Sequence, residues 1–153
     1  GLALQRGTRL HEALSRIAWL EPDAPQPADI PRGELDLTQP SAFRDALTLR
    51  SGVSDLWRER AFELIEGDEW ISGTFDRVVF FGAQSDRSAE IFDFKSNRRR
   101  SDETEQAFAQ RLRATYAAQM ANYRRALSRL SGIGESAIRC SLLLTDTRQA
   151  VTI

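Results

Sequence analysis

A single cysteine, Cys140, and a single histidine, His11, occur among 153 residues. One thiol excludes an internal disulfide framework, and it equally excludes a zinc or iron–sulfur site held by several thiolates of this chain. No apolar run approaches the roughly 18 residues that a bilayer-spanning helix needs. The first residues lack the charged, apolar and small-residue order of a secretory signal, so the cytoplasm is the expected setting and no membrane partner is expected. A G-x-x-x-x-G-K-[ST] loop is also missing, which leaves no visible means of binding a nucleoside triphosphate. Neither sign of charge dominates: 21 basic side chains face 22 acidic ones. Bulk electrostatics therefore does not announce a polyanion binder.

What is present suits one compact domain. A hydrophobic fraction of 41% can build a core, and 28% charged residues is ordinary for a soluble chain. The chain opens abruptly on the approach to a helix, so a piece of a larger protein is expected. Charge is unevenly spread, with acids between Glu59 and Glu69 and a basic run at Arg98, Arg99 and Arg100. Arg111, Arg113, Arg124, Arg125 and Arg129 follow. A site that binds cations and polyanions together has this look, as does an ordinary solvated helix face.

Hydrophobic spacing predicts a helix over Thr8 to Leu20, with Gly7 and Thr8 as its turn and N-cap. Pro22, Pro25, Pro27 and Pro31 then break regular structure to about Asp36. A short helix is expected over Ser41 to Leu49. The period changes to two over Val53–Ile65 and Trp70–Phe81, joined at Gly67–Asp68, and over Ala89–Lys95. These three strands read as an antiparallel meander. From Glu103 the period returns to helical through Phe108, Leu112, Tyr116, Gln119, Met120, Tyr123, Leu127 and Leu130, ending at Gly132 and Gly134. A buried strand over Ala137–Thr145 and the start of another at Ala150–Ile153 complete an α/β fold, a mixed central sheet flanked by helices.

Two apolar strands carry aspartates, Asp76 in Thr74-Phe-Asp-Arg-Val and Asp93 in Ile91-Phe-Asp-Phe-Lys95. Burying a lone carboxylate or ammonium is costly unless it is paired or binds metal. Asp93 and Lys95 share a strand face, and Asp76 can join them from the neighbouring strand. Two converging carboxylates suit a hard divalent cation, magnesium or manganese. A structural salt bridge, with Lys95 neutralising both aspartates, fits the same three residues. His11 offers an imidazole, either to a metal or to a neighbouring side chain. Gln119 and Tyr123, four apart, lie on one helix face, where Tyr123 either packs in the core or borders a site. Trp19, Trp57 and Trp70 are expected to pack, with base stacking the less favoured role.

Gly73-x-x-Asp76-Arg77 followed by Ile91-x-Asp93-x-Lys95 resembles the core of the PD-(D/E)XK nuclease superfamily. More narrowly, it resembles the RecB-like branch at the C-terminus of AddA and RecB helicase-nucleases. Gly7-Thr8-x-x-His11 is similar to that branch's first motif, Glu59 to its acidic strand residue, and Gln119-x-x-x-Tyr123 to its Q-x-x-x-Y motif. Phe75 stands where the superfamily has proline, and Ser96 where threonine is usual. The resemblance runs from Gly7 to Leu144. It implies a restriction-endonuclease-like core, one nuclease domain over residues 1–153, and a C-terminal position in a larger helicase-nuclease. It further implies Mg2+ or Mn2+ held by His11, Asp76, Asp93 and the Phe94 carbonyl, with Lys95, Glu59, Gln119 and Tyr123 in catalysis. Arg98, Arg99 and Arg100 would grip DNA, a single-stranded end above all, and a helicase motor or partner subunit would supply movement. A single cysteine leaves the AddA-like or RecB-like type rather than the iron–sulfur subgroup. Two other readings remain: an inactive DNA-binding or scaffolding module on the same fold, and a glycosidase using two carboxylates, which leaves Lys95 and His11 without a role.

Overall fold

The computed structural model describes residues 1–153. Five strands form one sheet in the order β1-β2-β3-β4-β5: Val53–Glu66, Glu69–Phe81, Ser88–Lys95, Ile138–Leu144 and Gln149–Thr152. Strands β1 and β2 make a hairpin through Gly67 and Asp68, where Gly67 takes φ 63°. That left-handed conformation is open to glycine without steric cost. Strand β3 pairs antiparallel with β2 and parallel with β4. A parallel neighbour demands a crossover, and helix α3, Glu105–Ser131, supplies it. Thr104 caps α3 by accepting the Ala107 N–H, and Gly132 at φ 79° ends it. Although α3 is long, no helix here is long and apolar enough to cross a membrane.

Each sheet face has its own core. Against α3, Phe62, Phe75, Val78, Phe80, Ile91 and Leu142 pack on Phe108, Leu112, Met120 and Leu127. The opposite face is covered by helices α1 (Leu2–Ser15) and α2 (Ala42–Ala46) and by the proline-rich loop between them. That loop lacks regular structure yet is packed, burying Leu20, Ile30, Leu35 and Leu37. Its backbone is satisfied in part by Gln26, whose amide donates to the Ile30 and Leu35 carbonyls and accepts from Leu37 N–H.

Several sequence expectations need correction. Helix α1 begins at Leu2 and ends at Ser15, so Gly7 and Thr8 lie within it rather than capping it. The Thr8 hydroxyl donates back to the Leu4 carbonyl. Both ends of α2 fall inside the expected span, with Ser41 as its N-cap. Leu130 and Trp70 are exposed, at 49% and 64%. Trp70 sits at the hairpin tip, beyond the reach of either core. Alternation along β1 also fails, since Trp57 and Phe62 pack into the same core despite their odd spacing. The break falls at Glu59, whose φ of 50° turns the strand over.

Candidate metal centre

The site lies where β2 and β3 part. Their ladder runs from Phe81–Ser88 to Arg77–Phe92 and stops there. The next two residues are Asp76 and Asp93. In place of a backbone bond, the Asp76 Oδ2 atom accepts the Phe94 N–H at 2.9 Å. Lys95 directs its carbonyl to Thr145 on the β4 side. Backbone groups alternate along a strand, so the Phe94 carbonyl faces the β2 side with its N–H.

From the α1 face come His11 and Glu59. His11 Nε2 lies 2.7 Å from Glu59 Oε1 and 3.3 Å from Asp76 Oδ1. One donor atom from each of these three residues falls within 4.8 Å of the others, a spacing that can hold a metal ion. The β1–β2 register explains the approach of Glu59: Arg58 pairs with Arg77 and Arg60 with Phe75, which sets Glu59 opposite Asp76. The imidazole meets Phe94 edge-on, with ring centroids 6.0 Å apart. Phe94 thus supports the ring on its apolar side.

Across the sheet edge, Asp93 and Lys95 face α3. Lys95 Nζ lies 2.7 Å from Asp93 Oδ2 and donates to Gln119 Oε1 at 3.0 Å. It also sits 4.0 Å over the Tyr116 ring, whose hydroxyl donates to Asn97. Tyr123 packs edge-on against Phe62 and Phe75, and burial raises its hydroxyl pKa. Gly73 permits this packing, since a Cβ there would come within 2.9 Å of Phe62 and 3.0 Å of Tyr123.

Electrostatics separates the two halves. Burial pushes the Asp76 carboxyl up to about 8, and the negative charge of Asp93 adds to the effect. The Phe94 N–H pulls it back, while Glu59 raises it further. Lys95 offsets Asp93. Glu59 and Asp76 then remain with no cationic side chain other than His11. With the imidazole uncharged, and if all three carboxyl groups are ionised, as around a metal ion, they and the one ammonium leave a charge of −2. A divalent cation matches that deficit, and oxygen donors with one imidazole suit it chemically. The proton that Asp76 retains marks where a cation would be most stabilising.

Of the expected ligands, His11 and Asp76 come together, and Glu59 joins them more closely than Asp93 does. Asp93 turns an oxygen to Lys95 and lies outside the three-residue group. Among the basic residues, Arg98 pairs with Asp146, and the Arg99 guanidinium donates to the Glu103 carbonyl. Only Arg100 of the three leaves its guanidinium without a partner in the chain. Trp19 packs under the Arg77 guanidinium and Trp57 within the α3-side core.

Sequence reading missed the arginines that anchor α1. Arg77, 1% exposed, donates to the Ile17 carbonyl at 2.8 Å and to that of Ala18. Arg58 donates to the Ser15 carbonyl at 2.9 Å. The Ser15 carbonyl, at the C-terminus of α1, lacks an internal partner and carries partial negative charge, which attracts a cation, while Ile17 and Ala18 belong to the segment just beyond the helix. The two guanidiniums therefore fasten the end of α1 to the hairpin and set His11 over Asp76. An arginine inside a strongly apolar strand was the available signal. Tyr116, one turn before Gln119, was read only as a packing position.

Compared with models of known families, residues 2–151 match that of the PD-(D/E)XK nuclease superfamily. No curated protein matches the chain.

Proposed function

We propose that this chain, which belongs to the PD-(D/E)XK nuclease superfamily, is a Mg2+- or Mn2+-dependent deoxyribonuclease of the RecB-like or AddA-like type. The observation that carries the reading is the convergence of His11, Glu59 and Asp76 within 4.8 Å, beside the Asp93–Lys95 pair. In this reading residues 1–153 are one nuclease domain of a larger helicase-nuclease. Its substrate is DNA at a broken end, and its setting is the cytoplasm and recombinational repair.

His11, Asp76 and the Phe94 carbonyl would hold the ion, with Glu59 as a further donor and Asp93 completing the set from the lysine side. When bound, the ion activates water and offsets charge on the scissile phosphate and the leaving oxygen. Asp76 would give up its proton on binding, because a cation offsets the burial and the neighbouring negative charges that raise its pKa. Lys95, fixed between Asp93 and Gln119, presents its ammonium to the attacking water and to the charge that grows on phosphorus in the transition state. Gln119 fixes the lysine rotamer, and Tyr123 stiffens the helix face that carries Gln119. Arg100, with Arg98 and Arg99 released from their present partners, grips the DNA backbone.

The test is incubation with end-labelled single- and double-stranded DNA in magnesium, manganese or chelator. Cleavage is expected with either metal and none with chelator. Cleavage in chelator, or equal cleavage by the Lys95→Ala variant, would refute the mechanism.

A further inference from the structure

Three hollows, each sharing at least one lining residue with the next, lie along the carboxyl ends of β3 and β4. The first, of 430 Å³, is lined by Gly7, Thr8, His11 and Ser96 at the metal centre. A narrow one of 40 Å³ shares Gly7, His11 and Ser96 with it and adds Thr145. The third, of 310 Å³, shares Thr145 and reaches Arg32, Asp146 and Arg148. Thr145 is tied directly to the catalytic strand, since its N–H donates to the Lys95 carbonyl at 3.0 Å. Ser96, with the buried Thr145 behind it, thus lies between His11 and the third hollow.

At its far end the charges are unequally engaged. Glu34 lies 3.7 Å from Arg9, and Asp146 pairs with Arg98 at 3.1 Å. The Asp36 carboxylate accepts both the N–H and the hydroxyl of Thr38. Arg32, exposed, and Arg148, half-buried, make no hydrogen bond or ion pair through their guanidiniums, and the charge they meet at longer range is that of Asp36. Arg148 also holds φ at 61°, a backbone conformation that L-residues rarely adopt. It is kept there by its N–H on the Leu144 carbonyl and by its carbonyl, which accepts the Phe43 N–H. The fold therefore fixes one cation of the pair rather than leaving it on a free loop. Guanidiniums with open donors at the end of a channel fit successive phosphates.

We infer that Arg32 and Arg148 bind the phosphodiester backbone of the substrate strand as it runs from the metal centre past Ser96 to the third hollow. The inference rests on the nuclease reading for the identity of the strand. It assigns affinity to these arginines and no part in bond cleavage.

The full chain is tested as an Arg32→Gln, Arg148→Gln double variant against an Arg139→Gln control. Arg139 is exposed on β4 and lines none of the three hollows. Fluorescence anisotropy with a long single-stranded oligodeoxynucleotide is read in the Lys95→Ala background, where no cleavage is needed. The expected result is about tenfold weaker binding and a salt slope shallower by about 1.4, from two lost contacts at ~0.7 each on a single strand. The control should change neither quantity. Hydrolysis of bis(p-nitrophenyl) phosphate, whose single phosphodiester cannot reach the arginines, should proceed at the unaltered rate when Lys95 is intact. Unchanged oligonucleotide binding and slope would overturn the assignment, as would an equal loss with the Arg139 control. If no phosphodiester is cleaved at all, the nuclease reading fails while the anisotropy still decides whether these arginines bind the strand.

Discussion

The two halves of the metal centre differ in how complete they are. On the α3 side, Lys95 is enclosed by a carboxylate, an amide oxygen and an aromatic face, so its charge is met within the protein. On the α1 side, His11 and Glu59 are about one-third exposed and, with Asp76, gather negative charge that no arginine or lysine meets. The first half is organised before anything binds. The second is organised around a missing positive charge. A fold can satisfy an ammonium with its own groups, but a cluster of carboxylates is satisfied only by protons or cations.

If the halves are distinct, the largest effect should follow substitution on the lysine side. Lys95→Ala should lower the rate of DNA hydrolysis about 10²–10³-fold, a loss expected when a transition-state charge contact is removed. Its metal affinity in calorimetry should stay within a few-fold of the parent. His11→Ala should behave in the opposite way, weakening metal binding by about 10–100-fold with much of the rate restored at high metal. Equal loss of metal affinity in both variants would merge the two halves into one.

Smaller in size is the effect of pH on the metal-free protein. The folded chain keeps a proton on Asp76 up to about 8, whereas the unfolded chain releases it near the ordinary 3.8. The folded state then binds more protons across this window, so stability should fall as pH rises from about 4 to 8. Thermal melts in chelator should show this decline, and Asp76→Asn should flatten it. With metal present the trend in binding reverses: affinity should climb towards pH 8 as the competing proton is lost. A parent protein as flat as the Asn variant would contradict the burial that raises this carboxyl.

On the lysine side, Gln119→Ala should cost less than losing Lys95 itself, about tenfold in rate, the scale of one hydrogen bond to a charged group. The smallest effect concerns the approach of α1. A Cβ on Gly7 would lie 2.6 Å from Ser96 Oγ, so Gly7→Ala should weaken metal binding by shifting His11. Adding Ser96→Ala should restore binding and leave the protein up to ~1 kcal/mol more stable, because alanine favours helix over glycine. Chemical denaturation and calorimetry on the single and double variants read both quantities.

The strands and α3 were legible because period-two and 3.6-residue patterns, bounded by Gly67 and Gly132, each agree with their local geometry. The start of α1 was misread because Gly7 and Thr8 resemble a helix entry. Inside the helix, Gly7 instead serves the contact with Ser96. Trp70 looked like a core residue by type, but the hairpin carries it past the end of both cores. At Glu59, strand pattern could not reveal a residue with positive φ, since no glycine marks the place.

Composition and spacing by themselves determined the α/β class, the meander followed by a crossover helix, and the shared face of Asp93 and Lys95. They also singled out Asp76, because an ionisable group in an apolar strand demands a partner; the family resemblance added His11, Gln119 and Tyr123. Only tertiary structure decided which partners they have. It ended the β2–β3 ladder one residue before the aspartates, turned Glu59 rather than Asp93 towards His11, and enclosed Lys95 with Tyr116. Those outcomes depend on where strands separate and on how Arg58 and Arg77 hold the end of α1. Such long-range contacts bring together residues far apart in the chain, and no local pattern encodes them.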